Sequence, residues 1–153
     1  MYSLVLILHS WLRWAAVVAG VGATLAALTG RQSVSQPDSS DRWGLAFLIT
    51  MDLQFLIGLL LYFVLSPTMA AIRQDFAAAM RDSGARFWAV EHLGTMLVAV
   101  IMVHVGRVLA RKASTPGAKR SRLLICFAIA TVAMLAAIPW PGMVSGRPLF
   151  RYN

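Results

Sequence analysis

LVLILHSWLRWAAVVAGVGATLAAL, the stretch from Leu4 to Leu28, decides the fold class of this chain. About 20 helical residues cross a bilayer core of about 30 Å, so this run is long enough to span it. No basic segment precedes the run, and it exceeds the usual apolar core of a signal peptide, which has about 7–15 residues. We therefore expect a retained transmembrane helix that carries His9 and Arg13 inside the bilayer.

Three further apolar runs are long enough to cross a membrane, at about residues 43–65, 87–110 and 123–140. Each is expected to be helical, because lipid offers no hydrogen-bond partners to backbone groups. The sequence therefore predicts an all-α membrane protein in which residues 1–153 form one domain, a bundle of four transmembrane helices.

The composition supports this class and excludes others. Of the 153 residues, 59% are hydrophobic and 13% are charged, with a formal net charge of +8 and a mean hydropathy of +0.70. Such a chain is too apolar for a disordered segment or a small soluble domain, and it has too little polar surface for a nucleic-acid binder. Its single cysteine, Cys126, excludes an internal disulfide, a four-cysteine zinc site and an iron–sulfur cluster.

The Lys and Arg residues of the connections predict the orientation. Eight lie on the side of the first and third connections, and five on the other side, where Arg73, Arg81, Arg86, Arg147 and Arg151 are found. The positive-inside rule then places both termini outside the cytoplasm. The eight are Arg31, Arg42, Arg107, Arg111, Lys112, Lys119, Arg120 and Arg122.

The connection between the second and third runs predicts a short amphipathic helix in the outer interface. Ser66-Pro67-Thr68 is typical of a helix start and Ser83-Gly84 of a stop. Ile72, Phe76 and Ala79 or Met80 fall at helical spacing between them. A plain polar loop is the alternative. The tail after Pro141 is expected to be irregular, with Trp140, Phe150 and Tyr152 as interfacial anchors.

Seven polar side chains fall inside the apolar runs, and burying them in lipid is costly. They are His9, Arg13, Asp52, Gln54, Glu91, His92 and His104. At 1.5 Å per residue, His9 and His92 lie at the same depth, about 8 Å below the outer boundary. Two histidines at one depth on separate helices suit bis-imidazole ligation of a haem iron. The alternatives are an interhelical hydrogen bond, a proton relay, and a copper or zinc site.

The remaining polar residues have other expected roles. His104 lies about 18 Å from His92 along the same helix, so the two cannot share one cofactor site. Any cofactor bound by His104 would occupy a separate site. Arg13 is expected to pair with Asp52, with Glu91 as the competing partner, because buried charges are normally paired. Alternatively, Arg13, Arg73 or Arg81 neutralises the propionates of a haem. Asp52 and Glu91 are also candidates for proton exchange with a quinone.

Several strings resemble small bacterial membrane proteins of about this length that are labelled cytochrome b. They include residues 8–14, LHSWLRW; residues 54–63, QFLIGLLLYF; residues 86–92, RFWAVEH; and residues 138–141, IPWP. The resemblance covers all four runs in order. It implies a four-helix b-type haem protein of electron transfer, with His9, His92 and His104 as possible ligands. The bacterial proteins that the chain resembles also imply a bacterial inner membrane. Histidine is frequent in that group where this chain has Asp52, a departure that puts a second haem in doubt.

Two functions remain open at this stage. The first is a membrane electron carrier that exchanges electrons with quinol or with a larger redox complex. The second is a cofactor-free accessory subunit of a respiratory or photosynthetic complex, in which the histidines form interhelical hydrogen bonds. Expected partners are the lipid bilayer and either a redox complex or further copies of this chain, with no nucleic acid. The sequence shows no hydrolytic motif, and any catalysis would be redox chemistry.

Overall fold

A computed structural model describes residues 1–152, so Asn153 lies outside the described residues. All regular elements of residues 1–152 are helices. Their bounds, with each helix given its label, are α1 Tyr2–Thr29, α2 Ser39–Leu60, α3 Pro67–Gln74, α4 Phe76–Arg81, α5 Ser83–Arg86, α6 His92–Arg111 and α7 Pro116–Ala136. A π-helical turn, Leu61–Leu65, extends α2, and a second, Phe87–Glu91, joins α5 to α6.

Three continuous helical stretches are long and apolar enough to cross a membrane: Tyr2–Thr29, Ser39–Leu65 and Ser83–Arg111. They correspond to the first three predicted runs and extend each by a few residues. The fourth long helix, α7, begins and ends earlier than the predicted run 123–140. Its first turns contain Lys119, Arg120 and Arg122, so this helix has a basic first segment followed by an apolar one.

The four long helices pack as a ring in which α1 contacts α2 and α7, and α6 contacts the same two helices. Alanines line the buried face of α1 at helical spacing, at Ala16, Ala19, Ala23 and Ala27. Such small side chains let neighbouring helices approach closely. Large side chains of α2 and α7 fill the centre, where the rings of Phe47 and Phe127 meet edge to face at 5.9 Å.

Several glycines serve helix packing. A Cβ atom on Gly20 would lie 2.9 Å from the Phe47 ring, and one on Gly106 would lie 2.6 Å from the Cβ of Cys126. Gly22 likewise faces the ring of Trp43. These glycines therefore let neighbouring helices come close.

One end of the ring is held by a buried ion-pair cluster. The Lys119 ammonium, 5% exposed, lies 2.8 Å from Oδ2 of Asp38 and 2.6 Å from Oδ2 of Asp41. It also donates to the Ser33 carbonyl. Asp38 caps α2, because its carboxylate accepts the N–H groups of Ser40 and Asp41. The cluster thereby fastens the α1–α2 connection to the start of α7.

The connection between α2 and α6 holds three short helices in place of the one predicted. Ser66 caps α3 as expected, with its Oγ accepting the N–H of Met69. Asp75 then interrupts the helix and caps α4. The predicted stop at Ser83-Gly84 is wrong, because the Asp82 carboxylate accepts the Ala85 N–H and starts α5 there. Ile72 and Ala79 are buried as the apolar spacing requires, whereas Phe76 is 49% exposed.

The tail after Pro141 forms turns that pack against α1. The Phe150 ring stacks on Trp14, with centroids 5.4 Å apart and planes inclined by 21°. The indole N–H of Trp14 donates to the Leu149 carbonyl at 3.2 Å, and that of Trp11 donates to the Arg151 carbonyl at 2.9 Å. These contacts bring two arginines of the tail, Arg147 and Arg151, to the mouth of the cavity described next.

Candidate functional site

A cavity of about 140 Å³ lies inside one end of the helix ring and is partly open. Its walls come from α1, α2, α3, α6, the end of α7 and the tail. Most of the lining is apolar. The polar side chains include His9, Gln54 and His92, together with the arginines Arg13, Arg147 and Arg151. Apolar walls with a few converging polar groups are typical of a small-molecule or cofactor site.

The two histidines predicted to share a site lie together in this cavity. The ring centroids of His9 and His92 are 6.5 Å apart, with their planes inclined by 68°. A metal–imidazole bond is about 2 Å long, so two imidazoles on opposite sides of one metal ion have ring centroids about 6 Å apart. The observed centroid separation is close to that value.

The local sequence fixes the tautomer of His92. Its Nδ1 lies 2.8 Å from the carbonyl oxygen of Ala137. A carbonyl can only accept, so Nδ1 carries the proton and Nε2 carries the lone pair. The carbonyl of Ala137 is available because α7 ends at Ala136, and Pro139 disfavours a helical conformation at the residue before it. A histidine held through one nitrogen by a backbone carbonyl is the usual state of a metal-ligating histidine.

His9 is held on the opposite side of the cavity by α2. Its Nε2 lies 3.1 Å from the Nε2 of Gln54, and its buried Nδ1 has no hydrogen-bond partner among residues 1–152. Gly58, one turn further along α2, leaves room for the ring, because a Cβ there would lie 3.2 Å from Cε1 of His9. Gln54 and Gly58 are therefore part of the site, and both fall in the string QFLIGLLLYF.

Both π-helical turns adjoin the cavity. Leu61 and Tyr62 of the first turn and Trp88 of the second line its wall. The Tyr62 hydroxyl donates to the Ala89 carbonyl at 2.6 Å and so joins the two turns. The Trp88 ring lies 5.5 Å from that of His92. Single π-helical turns are rare and occur often at functional sites, because they re-aim side chains within a helix.

Three arginines surround the cavity without a carboxylate partner among the described residues. Arg13 donates to the Leu149 carbonyl, and its Nε is buried and unpaired. The guanidinium of Arg147 lies over the Trp88 ring at 5.5 Å. The sequence indicated Arg13 but missed Arg147 and Arg151, since nothing in the tail showed that it folds back onto α1.

Two arginines proposed as propionate partners lie elsewhere. Arg73 donates to the Tyr62 carbonyl at 2.9 Å, and Arg81 is an exposed residue at the end of α4. Neither side chain lines the cavity. Arg73 lies in α3 and Arg81 at the end of α4, on either side of the break at Asp75.

The predicted Arg13–Asp52 pair is wrong. The Oδ2 of Asp52 lies 3.6 Å from Nε2 of His104, and the carboxylate of Glu91 accepts from the Nε of Arg86 at 2.7 Å. Asp52 and His104 lie on the outer face of the ring, with side chains 37% and 47% exposed. His104 thus lies outside the cavity of His9 and His92, as its distance along α6 predicted.

No protein-family model matches this chain, and no curated protein and no solved structure matches it at a significant level. The cavity and its side chains are therefore the basis for any functional conclusion.

Proposed function

We propose that this chain is a membrane-embedded electron carrier that holds one b-type haem between His9 and His92. The observation that carries the proposal is the state of His92, whose Nδ1 proton is donated to Ala137 while Nε2 is left as a lone pair. The 6.5 Å spacing from the His9 ring supports it. When bound, the haem would supply one-electron transfer.

The side chains present fit this group in their chemistry. His9 and His92 would provide two imidazole ligands. His9 would bind through Nδ1 with the Gln54 amide turned over, so that Oε1 of Gln54, which is buried and unpaired, accepts the proton of Nε2. The unpartnered guanidinium groups of Arg13, Arg147 and Arg151 suit carboxylates, because the planar fork of arginine binds both carboxylate oxygens. The cavity of about 140 Å³ is smaller than a macrocycle and is partly open, so a bound haem would extend through the open side.

A second candidate is a binding site for a quinone ring, favoured by the volume of the cavity. A cavity of about 150 Å³ accommodates a ring the size of benzene, and this one measures about 140 Å³. The N–H groups of Gln54 and Arg13 would donate to the two carbonyl oxygens of the ring. Exchange of electrons with quinol is also part of the first proposal, so both candidates place redox chemistry in this cavity.

The wider setting of the protein is also a proposal. A fourth span is supported by the packing of α7, which contacts its neighbours in the ring as closely as the three long apolar helices do. We place the chain in a bacterial inner membrane as four spans, with both termini outside and α3–α5 in the outer interface. A larger redox complex or further copies of the chain would then be its protein partners.

The deciding experiment is a visible spectrum of the detergent-purified protein, oxidised and then reduced with dithionite, together with iron quantitation. The proposal expects the reduced band of low-spin haem at about one iron per chain. His9→Ala and His92→Ala should each abolish the band. His104→Ala is the matched control, since this histidine lies outside the cavity, and it should keep the band.

Gel filtration of each variant shows whether it remains folded. A monodisperse wild-type protein that holds no iron and shows no haem band would overturn the haem proposal. Saturable binding of a soluble ubiquinone analogue, lost in Gln54→Ala, would then support the quinone candidate. If neither ligand binds, a cofactor-free accessory subunit becomes the better description.

A further inference from the structure

A second site lies at the opposite end of the helix ring from the histidine cavity. An open groove of about 480 Å³ runs between the α1–α2 connection and the ends of α2 and α6. We call it the basic groove, and its charged lining residues are Asp41, Arg42, Arg107, Arg111 and Lys119. Nothing in the proposed redox function uses these residues.

Two carboxylates lie beside the groove, and a single lysine neutralises them in part. Lys119 binds the carboxylates of Asp38 and Asp41. Arg42, Arg107 and Arg111 have no carboxylate within ion-pair distance among residues 1–152. Four cations stand against two carboxylates, so the groove presents a net charge of +2 to an incoming ligand.

Arg107 is held in place but not saturated. One of its terminal nitrogens donates to the Asp41 carbonyl at 3.0 Å, and its Nε is buried without a partner. Arg42 and Arg111 are exposed residues on the neighbouring ends of α2 and α6. Several arginines around one pocket are the usual means of binding phosphate oxygens.

The surroundings of the groove favour a phosphate that belongs to a lipid. Leu45, 47% exposed, lines the groove at the start of the apolar part of α2, and Ala110 lines it on α6. A ligand there would have its anionic group against the arginines and its apolar part along the helices. Basic pockets between transmembrane helices on the cytoplasmic side bind acidic phospholipid head groups in this way.

We propose that the basic groove binds the phosphodiester head group of an acidic phospholipid. The test uses wild-type protein in uncharged detergent, titrated with mixed micelles that contain either phosphatidylglycerol or phosphatidylcholine, with binding followed by thermal shift. A third arm uses inorganic phosphate alone. We expect phosphatidylglycerol to stabilise the protein saturably and the other two probes to have little effect.

Variants separate a specific site from general attraction to the basic surface. A hydrogen bond to a charged group contributes about 1.5–3 kcal/mol, so Arg107→Gln should weaken phosphatidylglycerol binding about tenfold or more. Arg111→Gln, which removes no described hydrogen bond, should weaken it in the same direction and covers the case in which Arg107→Gln fails to fold. Arg31→Gln is the matched control, because Arg31 is an exposed arginine in the same connection but outside the groove.

Three results would overturn the proposal. Equal stabilisation by the two lipids would show that the head-group charge does not matter. Equal stabilisation by inorganic phosphate would reject a lipid as the source of the phosphate. A loss in Arg31→Gln as large as in Arg111→Gln would show that binding depends on the total charge of this end and not on the groove.

Discussion

The Nε2 of His104 lies 3.6 Å from the Oδ2 of Asp52, on the outer face between α2 and α6. Asp52 therefore pairs with His104, whereas the sequence predicted a pair between Asp52 and Arg13. Arg13 reaches into the cavity and donates to the Leu149 carbonyl of the tail. Arg13 therefore donates to a backbone carbonyl while its Nε stays unpaired, and the Asp52 carboxylate lies beside a histidine of another helix.

Double-mutant cycles should reproduce this pairing. We expect Asp52→Asn and His104→Gln to be coupled by about 1 kcal/mol in the free energy of unfolding, because residues in contact are not additive. Arg13→Gln and Asp52→Asn share no partner, so their effects should add to within about 0.5 kcal/mol. The measurement is equilibrium unfolding in mixed micelles. A larger coupling for Arg13 with Asp52 than for His104 with Asp52 would contradict the structure.

The sequence could predict three long apolar helices and the meeting of His9 with His92, because both depend on the rise of a helix. Each residue advances an α-helix by 1.5 Å, so equal distances from a boundary give equal depths. The cost of polar groups in lipid then directs such residues inward. The same reasoning separated His104 from the pair, and the structure agrees.

The sequence could not predict contacts that depend on rotation around a helix axis or on an irregular backbone. Depth alone allowed Asp52 to meet Arg13, but rotation places Asp52 on the outer face with His104. The tail has no periodic pattern, so the stacking of Phe150 on Trp14 left no trace in the sequence. For that reason Arg147 and Arg151 were missed as lining residues, and Arg73 and Arg81 were chosen in their place.

Removing the Lys119 ammonium should destabilise the protein strongly. Lys119→Met leaves the carboxylates of Asp38 and Asp41 without their cation in a largely buried cluster. Breaking a buried ion pair by removing one partner costs about 3–5 kcal/mol. Lys112→Met is the control, since Lys112 is an exposed residue at the end of α6. A loss of less than about 1 kcal/mol in Lys119→Met would show that the cluster is well solvated.

The same cluster should make stability depend on pH at both extremes. Burial disfavours the charged Asp38 carboxylate, but hydrogen bonds from Lys119, Ser40 and backbone N–H groups outweigh it and lower the pKa of Asp38. Burial likewise disfavours the Lys119 ammonium, but the hydrogen bonds that it donates to the carboxylates of Asp38 and Asp41 outweigh this effect and raise the pKa of Lys119.

The sign of each effect follows from linkage. A lowered carboxyl pKa gives stability that is present above the unfolded pKa of about 3.9 and is lost as the pH falls below it. A raised lysine pKa gives stability that is present below about pH 10.4 and is lost as the pH rises further. Thermal melting in detergent from pH 2 to pH 11 should show both losses, and Lys119→Met should remove the alkaline one. An alkaline loss that is unchanged in that variant would assign it to another group.

Two glycines at comparable positions provide a test of the cavity itself. In an exposed helix interior, Gly→Ala stabilises by about 1 kcal/mol, because alanine has the higher helix propensity. Gly94→Ala on α6 should show this gain, since its Cβ would meet nothing within 4 Å. Gly58→Ala on α2 should not, since its Cβ would lie 3.2 Å from Cε1 of His9 and displace the ring by a few tenths of an ångström. Thermal melting compares the two variants, and the haem band per chain should fall in Gly58→Ala alone. Equal gains in stability with unchanged ligand content would mean that the His9 ring does not need its observed position.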